Sequence, residues 1–276
     1  MLKIDAHQHF WKFDAVRDSW ITDDMTVIQR DFLPPDLQPL LKENGFDGCI
    51  TMQSDQSEEE NIFQLDNAAK HDFIKGVVGW ADLQAFDIEQ KLADYSGCEK
   101  MKGFRHVLQG EADRSLMLHP KFMNGISKLE KYNFTYDILI FPDQLKYIPQ
   151  FVSSFPNQKF VIDHITKPLI KEGKTAEWKK QIQTVAKYEN IWCKISGLVT
   201  EADWKLWKPA DFTTYLDIVT EAFGTKRVIF GSDWPVCLVA ASYNQVLSIV
   251  KNYFLNFSKD EQESFFGGNA VNFYNL

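Results

Sequence analysis

The sequence has no run of about 18 consecutive apolar residues, the length that a membrane-spanning helix requires. It has no apolar leader either, because polar residues interrupt Met1–His7. No segment is rich in glycine, serine or proline, and there is no internal repeat or low-complexity stretch that would mark a linker. These absences argue against a membrane protein and against several domains. We expect one domain over residues 1–276 and a cytoplasmic protein.

Cysteine and positive charge are both scarce. The cysteines, Cys49, Cys98, Cys193 and Cys237, form no Cys-x-x-Cys spacing, and a chain of 276 residues can bury a core without disulfide bonds. We therefore expect reduced thiols, most of them buried. The 30 lysines and arginines are outnumbered by 38 aspartates and glutamates, which gives a net charge of −8. That balance argues against nucleic acid or an acidic membrane surface as a partner.

What the sequence does contain is an alternation of short apolar runs with longer amphipathic stretches. Several runs, such as residues 160–162 and 228–230, are continuously apolar, as in strands that are covered on both faces. The predicted strands are Leu2–His7, Gly48–Met52, Lys75–Trp80, Met101–His106, Thr135–Ile140, Lys159–Asp163, Ile191–Ile195 and Arg227–Phe230.

The amphipathic stretches between these runs predict helices. Prolines stand near several of their starts and glycines follow several of their ends, as both residues favour those positions. The predicted helices are Pro35–Asn44, Glu58–His71, Asp87–Ser96, Pro120–Lys131, Pro142–Phe155, Ala176–Tyr188, Pro209–Phe223, Ala240–Tyr253 and a short Lys259–Phe266. Strands that alternate strictly with helices form a parallel sheet, and eight such units predict a (β/α)8 TIM barrel. An open, doubly wound sheet is the alternative.

Three histidines and one aspartate fall at predicted strand ends, where barrel enzymes carry their catalytic groups. His7 and His9 are two residues apart, so they project from the same face of a strand. They can share a metal or bind a carbonyl, or they can be structural histidines. Asp233 can ligate a metal and accept a proton from water, or it can simply start a turn. Convergence with His164 favours an active site, with His7, His9, His164 and Asp233 as candidate metal ligands.

Other polar residues near strand ends raise the question of which way they face. Neighbouring strand residues point to opposite faces, so Arg105 is expected to face inward and His106 outward. Arg105 could then hold a substrate carboxylate or hydroxyls, or it could form a structural ion pair. By the same rule, His164 is expected to face inward if the strand is regular there, with Asp163 as a support or cap. Asp137 interrupts an apolar strand, so it either faces the cavity or pairs with a neighbour such as Arg105.

Aromatic residues near strand ends can stack on a ligand ring. Trp11 and Trp80 have such positions, although a place in the core is the commoner role of a tryptophan. The candidates for substrate binding are therefore Arg105, His106, Asp137, Trp11 and Trp80. The polar segment Trp11–Leu33 is too long for a simple connection and follows the histidine pair, so it could cover the site. Lys194 and Ser196, also near a strand end, give a weaker indication.

Five motifs occur in order along the chain. They are IDAHQHFW at residues 4–11, GFRHVLQ at 103–109, DHITKP at 163–168, CKISGL at 193–198 and FGSDWP at 230–235. Together they resemble the branch of amidohydrolase family 2 that contains sugar lactonases (L-fuconolactonase and L-rhamnonolactonase) and the pyrone-dicarboxylate and sulfomuconolactone hydrolases. The resemblance spans essentially the whole chain. Phe10-Trp11 and the stretch VTEADW at 199–204 are most similar to the sugar lactonases.

The resemblance implies a core site whose members are His7, His9, His164 and Asp233. It implies that Asp233 is the base that activates water and that a metal or cationic groups polarise a carbonyl. With Arg105 from the strand-end analysis, the expected catalytic set is Asp233, His164 and Arg105. The chain departs from the two-metal pattern of the wider superfamily. Its fourth strand ends in Arg105-His106 instead of a bridging lysine carbamate or glutamate, and its fifth offers Asp137 instead of a histidine. We therefore expect one divalent ion, Zn²⁺, or none.

The leading interpretation is a hydrolase that opens a sugar-derived lactone, of the L-fucono- or L-rhamnono-1,5-lactone type, to the aldonic acid. Water would attack the carbonyl carbon with Asp233 as general base. The enzymatic alternatives are a hydrolase of a carboxylated cyclic lactone and a metal-dependent decarboxylase of the aminocarboxymuconate-semialdehyde type. A non-catalytic barrel that binds a carboxylate or sugar is a third class. The expected partner is a small molecule, and a homo-oligomer is compatible with the sequence.

Overall fold

In the computed structural model, which describes residues 1–276, eight parallel strands form one sheet in chain order. They are β1 (Ile4–Gln8), β2 (Gly48–Met52), β3 (Ile74–Gly79), β4 (Met101–His106), β5 (Thr135–Ile138), β6 (Phe160–Ile162), β7 (Ile191–Ile195) and β8 (Val228–Phe230). The sheet closes where the chain after β8 meets β1. Gln8 forms a parallel bridge with Trp234, and the backbone N–H of His9 donates to the Trp234 carbonyl at 2.8 Å. The predicted (β/α)8 TIM barrel is confirmed, and the doubly wound alternative is wrong.

The helices lie outside the barrel, apart from the last. They are α1 (Pro34–Glu43), α2 (Glu58–Lys70), α3 (Ile88–Tyr95), α4 (Pro120–Leu129), α5 (Ile148–Ser153), α6 (Ala176–Val185), α7 (Ala210–Phe223), α8 (Tyr243–Phe254), α9 (Lys259–Glu263) and α10 (Asn269–Tyr274). A single π-helical turn, Ser264–Gly268, connects α9 to α10. No helix combines the length and the apolar character that crossing a bilayer would require.

Two predicted helices differ from the observed ones for identifiable reasons. Residues 142–155 do not form one helix but a 3-10 segment, Pro142–Tyr147, followed by α5. Pro149 explains the break, because it has no N–H to donate to the Leu145 carbonyl in a continuous α-helix. The helix predicted from residue 240 begins instead at Tyr243, because Ser242 and Gln245 form a capping box there.

The barrel interior is apolar at its amino end. A cluster of 10 buried residues fills the interior from this end up to Met52, the last residue of β2, and comprises Ile4, Ala6, Ile50, Met52, Val78, Val161, Ile229, Ala270, Phe273 and Tyr274. The last three belong to α10, which closes this end of the barrel. Two lysines beside the amino ends of β4 and β6 hold the C-terminal segment in place. Lys102 donates to the Asn275 carbonyl at 3.1 Å, and Lys159 donates to the Asn272 carbonyl at 2.9 Å. Only the carboxyl end of the barrel is left for a site.

Candidate active site

The carboxyl ends of β1, β6 and β8 bring four predicted site residues together. One ligand atom each of His7, His164 and Asp233 lies within 4.8 Å of the other two. The Nε2 atoms of His9 and His7 lie 3.6 Å and 3.8 Å from Asp233 Oδ1. All four side chains are buried. The four candidate ligands thus form one cluster, although they come from three strand ends that are far apart in the sequence.

Hydrogen bonds behind the imidazoles determine which nitrogen faces the cluster. His9 Nδ1 lies 3.1 Å from the Met52 carbonyl, which can only accept, so Nδ1 carries the proton and the Nε2 lone pair points toward Asp233. His164 Nδ1 lies 2.9 Å from Ser196 Oγ, which leaves its Nε2 free. Burial lowers the pKa of His164 to about 4, so this imidazole is neutral near pH 7.

The chemistry of these donors fits one divalent cation. Burial also lowers the pKa of His7 well below the ordinary histidine value. For Asp233, burial alone would raise the pKa, but the neighbouring imidazoles, His164 first, outweigh it and hold that pKa below its usual range. Zn²⁺ in proteins takes neutral imidazole nitrogens and ionised carboxylates as ligands. The cluster offers both kinds of ligand, and no proton lies between His9 Nε2 and Asp233. The site can therefore bind one such ion.

A stretch of backbone in the left-handed conformation positions His164 in the cluster. Strand β6 ends at Ile162, and the residues His164–Lys167 all have positive φ, at 54°, 48°, 66° and 51°. Such values are uncommon for residues other than glycine and are outliers for β-branched ones. Trp178 of α6 holds this stretch, because its indole N–H lies 3.0 Å from the Ile165 carbonyl and 2.9 Å from Thr166 Oγ1. Strain of this kind is typical of functional sites.

The expected alternation of Asp163 and His164 rested on a regular strand, and the strand is not regular there. Both side chains therefore reach the barrel interior. Asp163 is fully buried, and its Oδ2 accepts from Arg105 Nη1 at 3.0 Å. Its Oδ1 lies 3.3 Å from His7 Nδ1 and 3.1 Å from Lys194 Nζ. Asp163 thus supports His7 and Arg105 from within the barrel instead of capping His164 from outside.

Two glycines leave the room that the histidines occupy. A Cβ on Gly197 would lie 2.6 Å from His164 Nδ1, and a Cβ on Gly231 would lie 2.4 Å from His7 Cβ. Gly197 also has a φ of 63°, which glycine adopts without steric cost. These glycines explain why the CKISGL and FGSDWP motifs carry a glycine beside a polar residue.

Arg105 is the residue of its pair that lies inside the barrel. Its Nη1 is 3.3 Å from His7 Nε2, and its Nη2 donates to Gln53 Oε1 at 2.9 Å. His106 points to the outer side of the sheet, where its Nδ1 accepts from Trp80 Nε1 at 3.2 Å. Since Arg105 contacts the nitrogen of His7 that a metal would use, the guanidinium and a metal ion compete for this atom.

A cavity of about 190 Å³ opens above the cluster. Of the predicted residues it is lined by His9, Arg105, His164 and Asp233. Sequence reasoning gave no role to several of the other lining residues, which include Trp20, Gln109, Lys167 and Val236. Trp20 comes from the segment predicted to cover the site, is 42% exposed and packs edge-on against Trp11 with ring centroids 5.8 Å apart. Gln53 also lines the cavity, and its position directly after the predicted strand Gly48–Met52 marks it in the sequence as a strand-end residue.

Four of the five residues predicted to bind substrate do not face this cavity. Trp11 is buried, with its indole N–H on the Arg30 carbonyl at 2.9 Å. Trp80 and His106 contact each other on the outer face of the sheet. Asp137 is buried deeper in the barrel and pairs with Lys194, not with Arg105. A position near a strand end does not decide which side of the sheet, or which depth of the barrel, a side chain occupies.

The fold and the cluster together define the class of protein. The barrel has eight parallel strands, with a His-x-His pair on the first strand, a histidine after the sixth and an aspartate after the eighth. This arrangement is the framework of an amidohydrolase-type enzyme. The chain belongs to the amidohydrolase family, whose model, described as "Amidohydrolase", matches residues 4–276. The protein is therefore a hydrolase.

Relatives with assigned activities match along the whole chain. An L-fucono-1,5-lactonase of Burkholderia multivorans is 37% identical over 286 aligned positions, which cover 100% of this chain and 96% of that protein. An L-fucono-1,5-lactonase of Burkholderia ambifaria is 34% identical, with 99% and 96% covered. A crystal structure of an amidohydrolase from Burkholderia multivorans with bound zinc has a TM-score of 0.97, at 38% identity and with 100% of both chains covered.

Proposed function

We propose that this protein hydrolyses a sugar-derived lactone, of the L-fucono- or L-rhamnono-1,5-lactone type, to the corresponding aldonic acid. The observation that carries the proposal is the placement of Asp233, ionised and within 3.8 Å of two neutral imidazoles, at the base of a small cavity with Arg105 beside it. A cavity of about 190 Å³ restricts the ligand to a small molecule. The full-length similarity to two L-fucono-1,5-lactonases supports the same substrate class.

Asp233 is proposed as the general base. It lines the cavity after β8 and, as a carboxylate, can accept a proton from a water molecule bound there. A water molecule attacks the lactone carbonyl carbon and loses a proton to Asp233. The carbonyl oxygen becomes an oxyanion, the ring C–O bond then breaks, and the proton goes to the released hydroxyl oxygen. The product is the open hydroxy acid, which carries one new hydroxyl and one new carboxylic acid group. It contains all the atoms of the lactone and of one water molecule.

Arg105 is proposed to stabilise the oxyanion. Its guanidinium is buried and is held by Asp163 and Gln53, so it is oriented before the substrate binds. A fixed cation in a site shielded from water stabilises developing negative charge more than a mobile one does. Of the residues predicted to bind substrate, Arg105 is the one that this structure leaves in contact with the cavity. Trp20 and Lys167 are proposed as further substrate contacts at the rim.

One Zn²⁺ ion is proposed to bind the cluster, with ligands drawn from His7, His9, His164 and Asp233. When bound, it would supply a Lewis acid that polarises the lactone carbonyl. The roles of the chain itself are to present unprotonated imidazole nitrogens and to keep one carboxylate oxygen available for a proton. Arg105 is the alternative source of positive charge, because it contacts the same His7 nitrogen.

The test is a screen of aldonolactones with a pH indicator, with purified protein before and after treatment with a chelator. We expect acid release from an L-fucono- or L-rhamnono-lactone above the rate with heat-denatured protein. Loss of this activity on chelation and recovery with Zn²⁺ would establish the metal requirement, whereas unchanged activity would assign the positive charge to Arg105. If no aldonolactone is opened, but a carboxylated cyclic lactone is hydrolysed or CO₂ is released from a carboxylated substrate, the proposed substrate class is wrong.

A further inference from the structure

A second polar cluster lies below the candidate site, toward the amino end of the barrel. Asp137 of β5 accepts two hydrogen bonds on the same atom, Oδ2: one from Lys194 Nζ of β7 and one from the Tyr274 hydroxyl of α10 at 2.7 Å. Asp137 and Lys194 are fully buried, and Tyr274 is 1% exposed. None of these three side chains lines the cavity. Their contacts therefore cannot be explained by direct binding of a substrate.

This lower cluster is continuous with the site above it. Lys194 Nζ lies 3.1 Å from Asp163 Oδ1 and 3.4 Å from His7 Nδ1. Asp163 in turn holds Arg105 Nη1 at 3.0 Å through its other oxygen. A path of short polar contacts thus connects the Tyr274 hydroxyl, on the helix that plugs the barrel, to His7 and Arg105 at the opposite end.

Packing alone does not account for the charges in this path. The interior around them is filled by aliphatic residues such as Ile4, Val161 and Ile229. Removing a lysine and an aspartate from water is costly, and replacing a buried ion pair by apolar residues of similar volume is often neutral or stabilising. A phenylalanine at position 274 would fill nearly the same volume as the tyrosine. What the hydroxyl adds is the bond to Asp137.

We propose that Tyr274 is a positioning residue for the site. The Tyr274 hydroxyl donates one hydrogen bond to Asp137, so the carboxylate does not depend on Lys194 alone for stabilisation. Lys194 therefore stays shared between Asp137 and Asp163. Without the hydroxyl, Asp137 would draw the ammonium group away from Asp163. Asp163 would then hold His7 and Arg105 in a different geometry. The activity readout of this inference rests on the proposed lactone hydrolysis and the metal-binding readout on the proposed Zn²⁺ site, whereas the spectroscopic readout rests on neither.

The variant that tests the inference is Tyr274→Phe, and the chain offers a matched control in Tyr253→Phe. The Tyr253 hydroxyl also donates to a carboxylate, Asp217 Oδ1 at 2.9 Å, but between the outer helices α7 and α8. For Tyr274→Phe we expect kcat on the lactone to fall about threefold to tenfold, with KM changed less than twofold. Zn²⁺ affinity, measured by calorimetry, falls by a similar factor, since outer partners of metal ligands tune affinity. The control leaves all three quantities within about twofold.

Two further measurements separate positioning from a general structural effect. In the metal-free protein, the side-chain ¹⁵N resonances of His7 shift in Tyr274→Phe, while those of the outlying His71 and His119 do not. Asp137→Asn, a second variant that keeps the shape of the side chain, also lowers kcat and Zn²⁺ affinity, because without the Asp137 charge Lys194 shifts the other way, toward Asp163. In the double variant the two losses are less than additive, because both act through Lys194.

The inference is overturned if Tyr274→Phe matches Tyr253→Phe in kcat, Zn²⁺ affinity and the His7 resonances. It is equally overturned if Tyr274→Phe merely lowers the melting temperature while all three readouts stay at the wild-type values. If the wild-type protein hydrolyses no lactone, but Zn²⁺ affinity and the His7 resonances respond to Tyr274→Phe, the proposed function fails and the positioning role stands.

Discussion

At the carboxyl end of the barrel, the backbone leaves regular geometry at His164–Lys167 and at Asp233, and the side chains there are polar and face a cavity. Below the site, the barrel interior holds a cluster of ten buried residues, none with positive φ, and α10 seals the amino end. Backbone strain costs about 1–3 kcal/mol per residue and persists only where the surroundings impose it. We therefore expect substitutions of the apolar interior residues to change mainly stability and substitutions at the carboxyl end to change mainly activity. Tyr274 is the proposed exception, because its hydroxyl bonds to Asp137.

The sharpest test at the carboxyl end is Asp233→Asn. The amide keeps the size of the side chain but cannot act as a base, so we expect lactone turnover to fall roughly 1,000-fold, a loss of about 4 kcal/mol in transition-state stabilisation. The melting temperature should change by only a few degrees. Steady-state kinetics and thermal unfolding measure the two quantities. Turnover near the wild-type rate would refute Asp233 as the base.

Ile50→Ala tests the opposite end. Ile50 is fully buried in the apolar cluster, so its truncation should lower the free energy of unfolding by about 2–5 kcal/mol. Urea denaturation measures this loss. Below the melting temperature, kcat should stay within twofold of wild type, because Ile50 does not contact the cavity. A fall in kcat of more than tenfold in the folded variant would contradict the division between the two ends.

Gly197→Ala probes the space beside His164. The new methyl group would lie 2.6 Å from His164 Nδ1, so we expect kcat to fall about 10- to 100-fold as the imidazole is displaced. Gly173→Ala is the matched control, since Gly173 has a similar φ of 65° and a Cβ there would meet nothing within 4 Å. The control should lose only about 1 kcal/mol of stability and keep its activity. Equal kcat values in both variants would show that the contact with His164 is unimportant.

His106→Asn gives the smallest expected effect. The side chain lies on the outer face of the sheet, so we expect kcat within about twofold of wild type and a loss of about 1 kcal/mol from its hydrogen bonds. Kinetics and urea denaturation again provide the measurements. A tenfold loss of kcat would mean that His106, and not only Arg105, serves the site.

Much of the fold was predictable because its signals are local. Continuous apolar runs such as residues 160–162 placed the strands, and alternation with amphipathic stretches determined the barrel. The convergence of His7, His164 and Asp233 followed from topology alone, since all strand ends of a parallel barrel meet at one rim. The facing of Arg105 followed from the two-residue period of a strand.

The remaining features depend on dihedral angles and depth, which a single sequence does not display. The motif DHITKP contains no glycine that would predict four consecutive residues with positive φ. The turn that these four residues form brings both Asp163 and His164 inside the barrel. The pairing of Asp137 with Lys194 required knowing that both lie at the same depth of the barrel. Trp20 lines the cavity while Trp11 is buried, a distinction set by how the loop between them folds.

The seam between β1 and β8 has a consequence for how the site comes into being. The Asp5 carboxylate, two residues before His7, accepts from the backbone N–H of Ser232, a contact that spans 227 positions of the chain. Contacts of such sequence separation form late in folding, because the entropy of closing a large loop must be met first. Asp233 therefore meets the histidine pair only when the ring of strands closes. A molecule with the seam open would keep most of its secondary structure and have no site, so hydrogen exchange along β1 and β8 measures the fraction competent for catalysis.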